Sequence, residues 1–170
     1  ADESPDGLIF TERLGRAEDG GYYNFRKIDI SAWTPPLDEL AAEAKERGIP
    51  TLGIGDGGNE VGMGNFHEEL KRLLPAYASC LCTVRTDYAL AVDVSNWGAY
   101  ALTAALSFMW GNWRGPEAGE ELAMLKAVKE LGAVDGISRL PELTVDGFDI
   151  ATQDKIISSL NELWELYRFA

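Results

Sequence analysis

Cysteine is scarce in this chain: Cys80 and Cys82 are the only two. That excludes a disulfide framework and a four-thiolate zinc site, and predicts a reduced, intracellular protein. Histidine is scarcer still, with His67 alone. Positive charge is also short, because 15 basic residues against 28 acidic ones leave a net charge of −13. Such a surface repels phosphate backbones and anionic lipid, so neither nucleic acid nor a membrane is an expected partner. No apolar run is long enough to span a bilayer. Trp97 to Trp110 is free of charge, but as a helix it rises only about 21 Å against roughly 30 Å of hydrocarbon. A buried core helix is predicted there. The opening Ala1-Asp2-Glu3 is acidic and no basic or long apolar segment follows, so no signal or transit peptide is expected and the predicted location is cytoplasmic. Loss of an initiator Met before Ala1, or a place downstream in a longer chain, would both produce this start.

What is present suffices for a core: 170 residues, 46% of them apolar, fit one ordinary domain. Leu8 to Thr11 reads as a short strand, and the polar, glycine-bearing stretch from Arg13 to Asn24 as a loop. Thr34-Pro35-Pro36 marks a helix start. Leu37, Leu40, Ala41 and Ala44 carry amphipathic spacing, Glu43 and Arg47 form an i, i+4 pair, and Gly48 stops the helix. Thr51 to Ile54 follows as a buried strand, Phe66 to Leu74 as a helix ending before Pro75, and Cys80 to Val84 with Tyr88 to Val94 as one or two strands. Gly119 to Leu131 is a further helix closed by Gly132, and the triplets Val134-Asp135-Gly136 and Val145-Asp146-Gly147 mark tight turns. Ile156, Ile157, Leu160, Leu163 and Leu166 stripe a closing helix. The alternation predicts one α/β domain over residues 1–170, with a mostly parallel sheet flanked by helices in a Rossmann-like three-layer architecture.

The most informative stretch runs from Gly53 to Asn65 and carries six glycines directly after a predicted strand. Such density means that the backbone takes positive φ or comes close to something. Gly53, Gly55 and Gly58 match the G-x-G-x-x-G spacing of dinucleotide-binding turns. Asp56 and Glu60 would repel a pyrophosphate, however, and Gly62 and Gly64 would weaken the helix meant to cradle it. Asp56, Asn59 and Glu60 on this loop instead suit a cationic amine, a divalent ion or a proton transfer, or else they bond only to their own turn.

A second polar cluster holds Glu12, Arg13, Gly15, Arg16, Asp19, Gly20, Tyr22, Tyr23 and Asn24. Arg13, Arg16 and Arg85 could each offer a carboxylate a planar fork of donors, or form surface ion pairs with Glu12, Glu18 or Asp19. His67 reads as a surface or packing residue, and Cys80 and Cys82 as small core hydrophobes on one side of a strand. Ser95 or Asn96 can cap the apolar helix, whose free N–H groups could alternatively meet an anion.

Gly55-Asp56-Gly57-Gly58-Asn59-Glu60-Val61-Gly62-Met63-Gly64 resembles the signature of the D-glutamate cyclase family. Three more segments match in order: Glu12-Arg13 through Gly15-Arg16 to Asp19-Gly20 with Tyr22-Tyr23-Asn24, then Val94-Ser95-Asn96-Trp97-Gly98, then Val145-Asp146-Gly147. The resemblance implies the downstream portion of a longer cyclase-like domain. It implies a hydro-lyase that converts D-glutamate to 5-oxo-D-proline and water, with no required cofactor and a divalent metal optional. Placed on these motifs, residue chemistry makes Asp56 or Glu60 the general base and Asn59 with the Gly57 and Gly58 amides the oxyanion or carboxylate donors. Arg13 and Arg16 would clamp carboxylates, and Tyr23, Asn24, Ser95 and Asn96 would line the substrate site. Any metal would sit on Asp56 and Glu60, and an upstream segment or a second copy could complete the site. The alternative is a non-catalytic nucleotide- or amino-acid-binding module.

Overall fold

A computed structural model describes residues 5–169, so the opening Ala1-Asp2-Glu3 lies outside the described residues. The chain divides into two compact units, with the division between Gly98 and Ala99.

The first unit is built on three parallel strands in the order β1 (Leu8–Thr11), β2 (Thr51–Gly55) and β3 (Tyr88–Ala91). Leu8 pairs with Thr51 and Thr11 with Ile54, while Leu52 pairs with Tyr88 and Gly55 with Ala91. β2 is central, and Thr51, Gly53, Ile54 and Gly55 in it are all buried, as befits a strand covered on both faces. β1 is an edge strand whose Phe10 is buried while Ile9 is exposed. Phe10 meets Ala41 and Val61 in the core, with Leu8 and Val84 packed against them.

Helix α1 (Glu39–Glu46) returns the chain from β1 to β2. It begins later than the proline pair suggests, and only Ala41 and Ala44 of its expected stripe are buried; Leu37 and Leu40 are exposed. The Glu43–Arg47 pair forms at 3.3 Å, and Gly48 takes φ +68 at the stop. Helix α2 (His67–Leu73), entered through a 3₁₀ turn at Met63–Phe66, ends just before Pro75 as its sequence predicts.

Residues 80–84 are not a strand. Pro75–Cys80 forms a 3₁₀ turn. The extended chain after it bonds to irregular backbone instead of to another strand: Cys82 N–H donates to Gly58 O and Thr83 N–H to Arg16 O, while Val84 O accepts from Gly62 N–H. β-branched residues produced extended backbone there, but the partner was a loop.

Helix α3 (Ser95–Trp110) starts in the first unit and runs on into the second. It is not buried throughout, since Met109 is 80% and Trp110 62% exposed. Among the described residues no helix is long and apolar enough to cross a membrane. The second unit adds α4 (Glu120–Glu130), a short antiparallel hairpin of β4 (Thr144–Val145) and β5 (Phe148–Asp149), and α5 (Ile150–Tyr167). The hairpin turns at Asp146 (φ +50) and Gly147 (φ +81), the pair of positive φ values that a two-residue Asp-Gly connection favours. Asp149 caps α5 by accepting from Thr152 N–H at 2.9 Å. On that helix Ile157 and Trp164 are buried while Leu163 and Leu166 are exposed, and Trp164 packs with tilted rings against Phe108 and Trp113, centroids 5.1 and 6.0 Å away.

Candidate active site

Because the three strands are parallel, their C-terminal ends meet at one edge of the sheet, where ligands of open α/β sheets bind. Glu12 follows β1, Asp56 follows β2, and Ser95 follows β3 by four residues. The carboxylate oxygens of Glu12, Asp56 and Glu60 come within 4.8 Å of one another.

The glycine loop makes this convergence possible. After β2 the chain turns back so that Glu60 forms an antiparallel bridge with Leu14, and Val61 N–H donates to Arg13 O at 2.7 Å. Glu60 is thereby drawn inward, to 1% exposure. Its Oε1 accepts from Gly57 N–H at 2.9 Å and its Oε2 from Gly58 N–H at 2.8 Å. Gly55 leaves room for that carboxylate, as a Cβ there would stand 2.6 Å from Glu60 Oε2, and Gly58 supplies the turn at φ +89. Burial pushes the Glu60 carboxyl above the ordinary carboxylate range; the Gly57 N–H pulls it back, and the charge of Asp56 raises it further.

Asp56 is exposed and its Oδ2 accepts from Ser95 N–H at 2.7 Å. The start of α3 is thus held by a carboxylate from the neighbouring strand end, where the helix dipole favours negative charge. Glu12 reaches the cluster with its backbone at φ +52, a conformation uncommon for a residue with a side chain. The amide of Asn59 is committed, its Nδ2 donating to Tyr23 O at 2.7 Å.

A family described as D-glutamate cyclase-like, C-terminal, matches residues 1–161. The chain belongs to that family. It is 45% identical over 106 residues to a human protein named D-glutamate cyclase, mitochondrial. That stretch is 62% of this chain but 17% of the human protein, so the chain spans a small part of the length of this curated relative.

Within this member of the cyclase-like family the candidate residues divide. Asp56, Asn59, Glu60, Gly57, Gly58 and Ser95 are brought together by the loop and the start of α3, and Asn96, half-buried, follows Ser95 in the helix. The Gly57 and Gly58 amides are not open to an oxyanion or a substrate carboxylate, since the Glu60 carboxylate occupies both. The cap of α3 is likewise corrected: it comes from Asp56, and the Ser95 hydroxyl is buried without a hydrogen-bond partner.

The arginine clamp is not assembled. Arg13 Nη2 donates to Pro35 O. Arg16 Nε pairs with Asp38 at 2.7 Å and its Nη2 with Glu39 at 3.4 Å. Asp38, fully buried, also accepts from the Tyr22 hydroxyl. This triad ties the loop after β1 to the start of α1. Arg16 is held not by its own burial, its side chain being 40% exposed, but by its bond to the buried Asp38 carboxylate. The ion-pair alternative therefore holds for Arg16, with Asp38 and Glu39 in place of Glu12, Glu18 or Asp19, whereas Arg13 is engaged by a backbone carbonyl.

Tyr23 touches the site through its carbonyl on Asn59, while its hydroxyl donates to Asp19 at 2.6 Å, a bond that raises the phenol to about 12. Asn24 closes a local turn by accepting from Arg26 N–H and Ile28 N–H. Arg85 is exposed and lines a polar hollow with Glu18, His67 and Glu68. His67 is a packing residue, its ring nitrogens against Cys82 O at 2.9 Å and Glu18 at 3.1 Å. Burial pushes the Cys82 thiol up to about 12, so it stays protonated and unreactive.

Sequence reasoning missed Glu12 as a site residue and Asp38 as a partner. Glu12 was within reach: it directly follows β1 as Asp56 follows β2, and parallel pairing sends both to one edge. Asp38 sits where a helix cap is expected, and nothing in its local sequence marks the long-range bonds to Arg16 and Tyr22.

Proposed function

We propose that this chain carries the ring closure of D-glutamate to 5-oxo-D-proline and water, at the edge where Glu12, Asp56 and Glu60 meet. The supporting observation is that convergence of three carboxylates, built by the signature loop of a D-glutamate cyclase-like chain. The human relative's name gives the reaction class. In the reaction the α-nitrogen forms a bond to the carboxyl carbon of the γ-carboxyl group (Cδ), and the bond from that carbon to one of its oxygens breaks. The ammonium surrenders two protons, and the departing oxygen takes two to become water. No electrons are transferred.

An acidic cluster attracts the ammonium and accepts its protons, which is the task of a general base within hydrogen-bond reach. Asp56 and Glu12 are the exposed carboxylates that a substrate meets, and Glu60 is the buried one set beside them. Gly57 and Gly58 act by fixing Glu60, and Asn59 by tying the loop to Tyr23. Because the closure is intramolecular, holding a folded conformer of the substrate supplies a large part of the rate.

The test is incubation of the chain with D-glutamate and, separately, L-glutamate, with 5-oxoproline followed by chiral chromatography. Conversion of the D form is expected, falling by at least about 100-fold in Asp56→Asn and in Glu60→Gln. A folded chain that produces no 5-oxoproline, or two variants that match the parent rate, would overturn the reading.

A further inference from the structure

We propose that Asp38 is a positioning residue for Glu60, its buried carboxylate holding the segment after β1 on which the glycine loop is folded. Asp38 is 1% exposed, and no step of the ring closure uses it. It stands where α1 begins, yet its side chain does not cap that helix. The turn after Pro35-Pro36 makes a cap dispensable, since Glu39 N–H donates to Pro36 O and Leu40 N–H to Leu37 O, both at 3.2 Å. A carboxylate is costly to bury without partners, so donors from elsewhere in the chain must supply what water and the helix do not.

Those donors lie well upstream. Asp38 Oδ2 accepts from Arg16 Nε at 2.7 Å and from Arg16 N–H at 3.3 Å, and Oδ1 accepts from the Tyr22 hydroxyl. Burial alone would raise the Asp38 carboxyl, but the Arg16 and Tyr22 bonds outweigh it and hold the group below the ordinary carboxylate range. Asp38 therefore grips both residues as an anion, through the stronger kind of hydrogen bond.

The two gripped residues are the chain neighbours of the residues that hold Asn59. Gly15, next to Arg16, donates its N–H to Asn59 O at 3.0 Å. Tyr23, next to Tyr22, accepts from Asn59 Nδ2 at 2.7 Å. Asn59 is thus held by its main chain and by its side chain, and Glu60 is the next residue. Glu60 itself bridges Leu14, and Val61 N–H donates to Arg13 O at 2.7 Å. Arg16 O also accepts from Thr83 N–H at 3.0 Å and from the Thr83 hydroxyl at 3.1 Å, while Cys82 N–H donates to Gly58 O at 2.8 Å. Residues 82 and 83 thereby tie the same arginine to the glycine loop a second time. Every one of these bonds bears on where the Glu60 carboxylate sits, and a misplacement of about 1 Å at a reacting group can cost about 100-fold in rate.

The effect of Asp38 on turnover rests on the cyclase reading; its effect on the loop does not. Asp38→Asn keeps the shape of the side chain and removes the charge. Tyr22→Phe removes one grip and leaves the Arg16–Asp38 pair, so it decides the matter alone if Asp38→Asn does not fold. Amide hydrogen exchange of the intact chain, followed by nuclear magnetic resonance, reads the loop. The Gly57 and Gly58 amides, the donors to Glu60, are expected to exchange at least about tenfold faster in Asp38→Asn and several-fold faster in Tyr22→Phe, with the amides of β2 unchanged. Steady-state kinetics with D-glutamate reads the site. Here kcat is expected to fall at least about tenfold in Asp38→Asn while KM stays within about threefold, because the displaced residues hold the base and not the substrate. Asp135→Asn, in the second unit, is the control for stability, lowering the melting temperature with kcat and the exchange of Gly57 and Gly58 unaltered.

Unchanged exchange at Gly57 and Gly58 would overturn the proposal, as would faster exchange spread equally over β2, which is the mark of general loosening. The two readings fail separately. A chain that makes no 5-oxoproline but loosens Gly57 and Gly58 in these variants keeps the role of Asp38 in the loop and loses the cyclase; one that turns over D-glutamate with kcat unaltered by the variants does the reverse.

Discussion

Single residues carry much of the order here by collecting backbone donors. Asp135, 6% exposed, accepts from Ile137 N–H and Ser138 N–H at 2.8 Å through one oxygen. Through the other it accepts from the Thr144 hydroxyl at 2.8 Å and Gly147 N–H at 3.0 Å. Burial alone would raise its carboxyl, but the Gly147, Ser138, Thr144 and Ile137 donors outweigh that and hold it at about 2. A depressed folded value stabilises the protein above the unfolded value near 4. That contribution, about 2 kcal/mol, is lost as pH falls from about 4 through about 2. Asp135→Asn should therefore unfold at lower denaturant concentration at pH 7 and show a shallower loss of stability between pH 4 and 2; parallel acid curves for variant and parent would refute this. Gly55 makes the opposite kind of contribution, by absence. A Cβ at Gly55 would stand 2.6 Å from Glu60 Oε2, so Gly55→Ala should cost about 1–3 kcal/mol, checked by urea denaturation, as the buried carboxylate is forced off its two amides.

At the scale of elements, the start of α3 joins stability to the site. Asp56 Oδ2 holds Ser95 N–H at 2.7 Å, so the side chain read from sequence as chemistry is also a helix cap. Asp56→Ala should cost about 1 kcal/mol, and Asp56→Asn, which keeps an oxygen acceptor, only a few tenths. Comparing the two by thermal melts and by turnover separates the roles: equal melting points would deny the cap, and restored turnover in Asp56→Asn would deny a need for the charge. The strands before this loop, α1 up to Gly48, α2 up to Pro75 and the Asp-Gly hairpin were legible, because each is written in local spacing and punctuation. Residues 80–84 were not. Their composition favours extended backbone, but whether it becomes a strand depends on a partner, and the partner was the loop at 58–62. The exposed Leu37 and Leu40 were misread for a similar reason, since spacing marks an apolar face without saying what covers it. The loop itself was legible as a site through glycine density, whereas the fate of Arg16 depended on Asp38, 22 positions away.

Across the whole molecule the dominant quantity is charge. Thirteen excess negative charges on 170 residues repel one another in the folded state more than in an expanded one, which lowers stability at low ionic strength. The short-range pairs oppose this trend. The exposed Lys71–Glu18 pair, at 2.8 Å, loses attraction when salt is added but contributes only about 0–1 kcal/mol, and the Arg16–Asp38 pair, at 2.7 Å, is screened less because Asp38 is buried. Long-range repulsion sums over many more charges and acts through water, where the screening length falls from about 30 Å at 0.01 M to about 8 Å at 0.15 M. Repulsion should therefore win. The melting temperature is expected to rise by about 2–5 °C between 10 and 300 mM sodium chloride, a monovalent salt chosen so that the carboxylate cluster is not filled by a divalent ion. A melting temperature that falls over this range would mean that local pairing, and not net charge, governs the electrostatic part of stability. Repeating the melts with Arg16→Met would then show how much of that part resides in the Arg16–Asp38 bond.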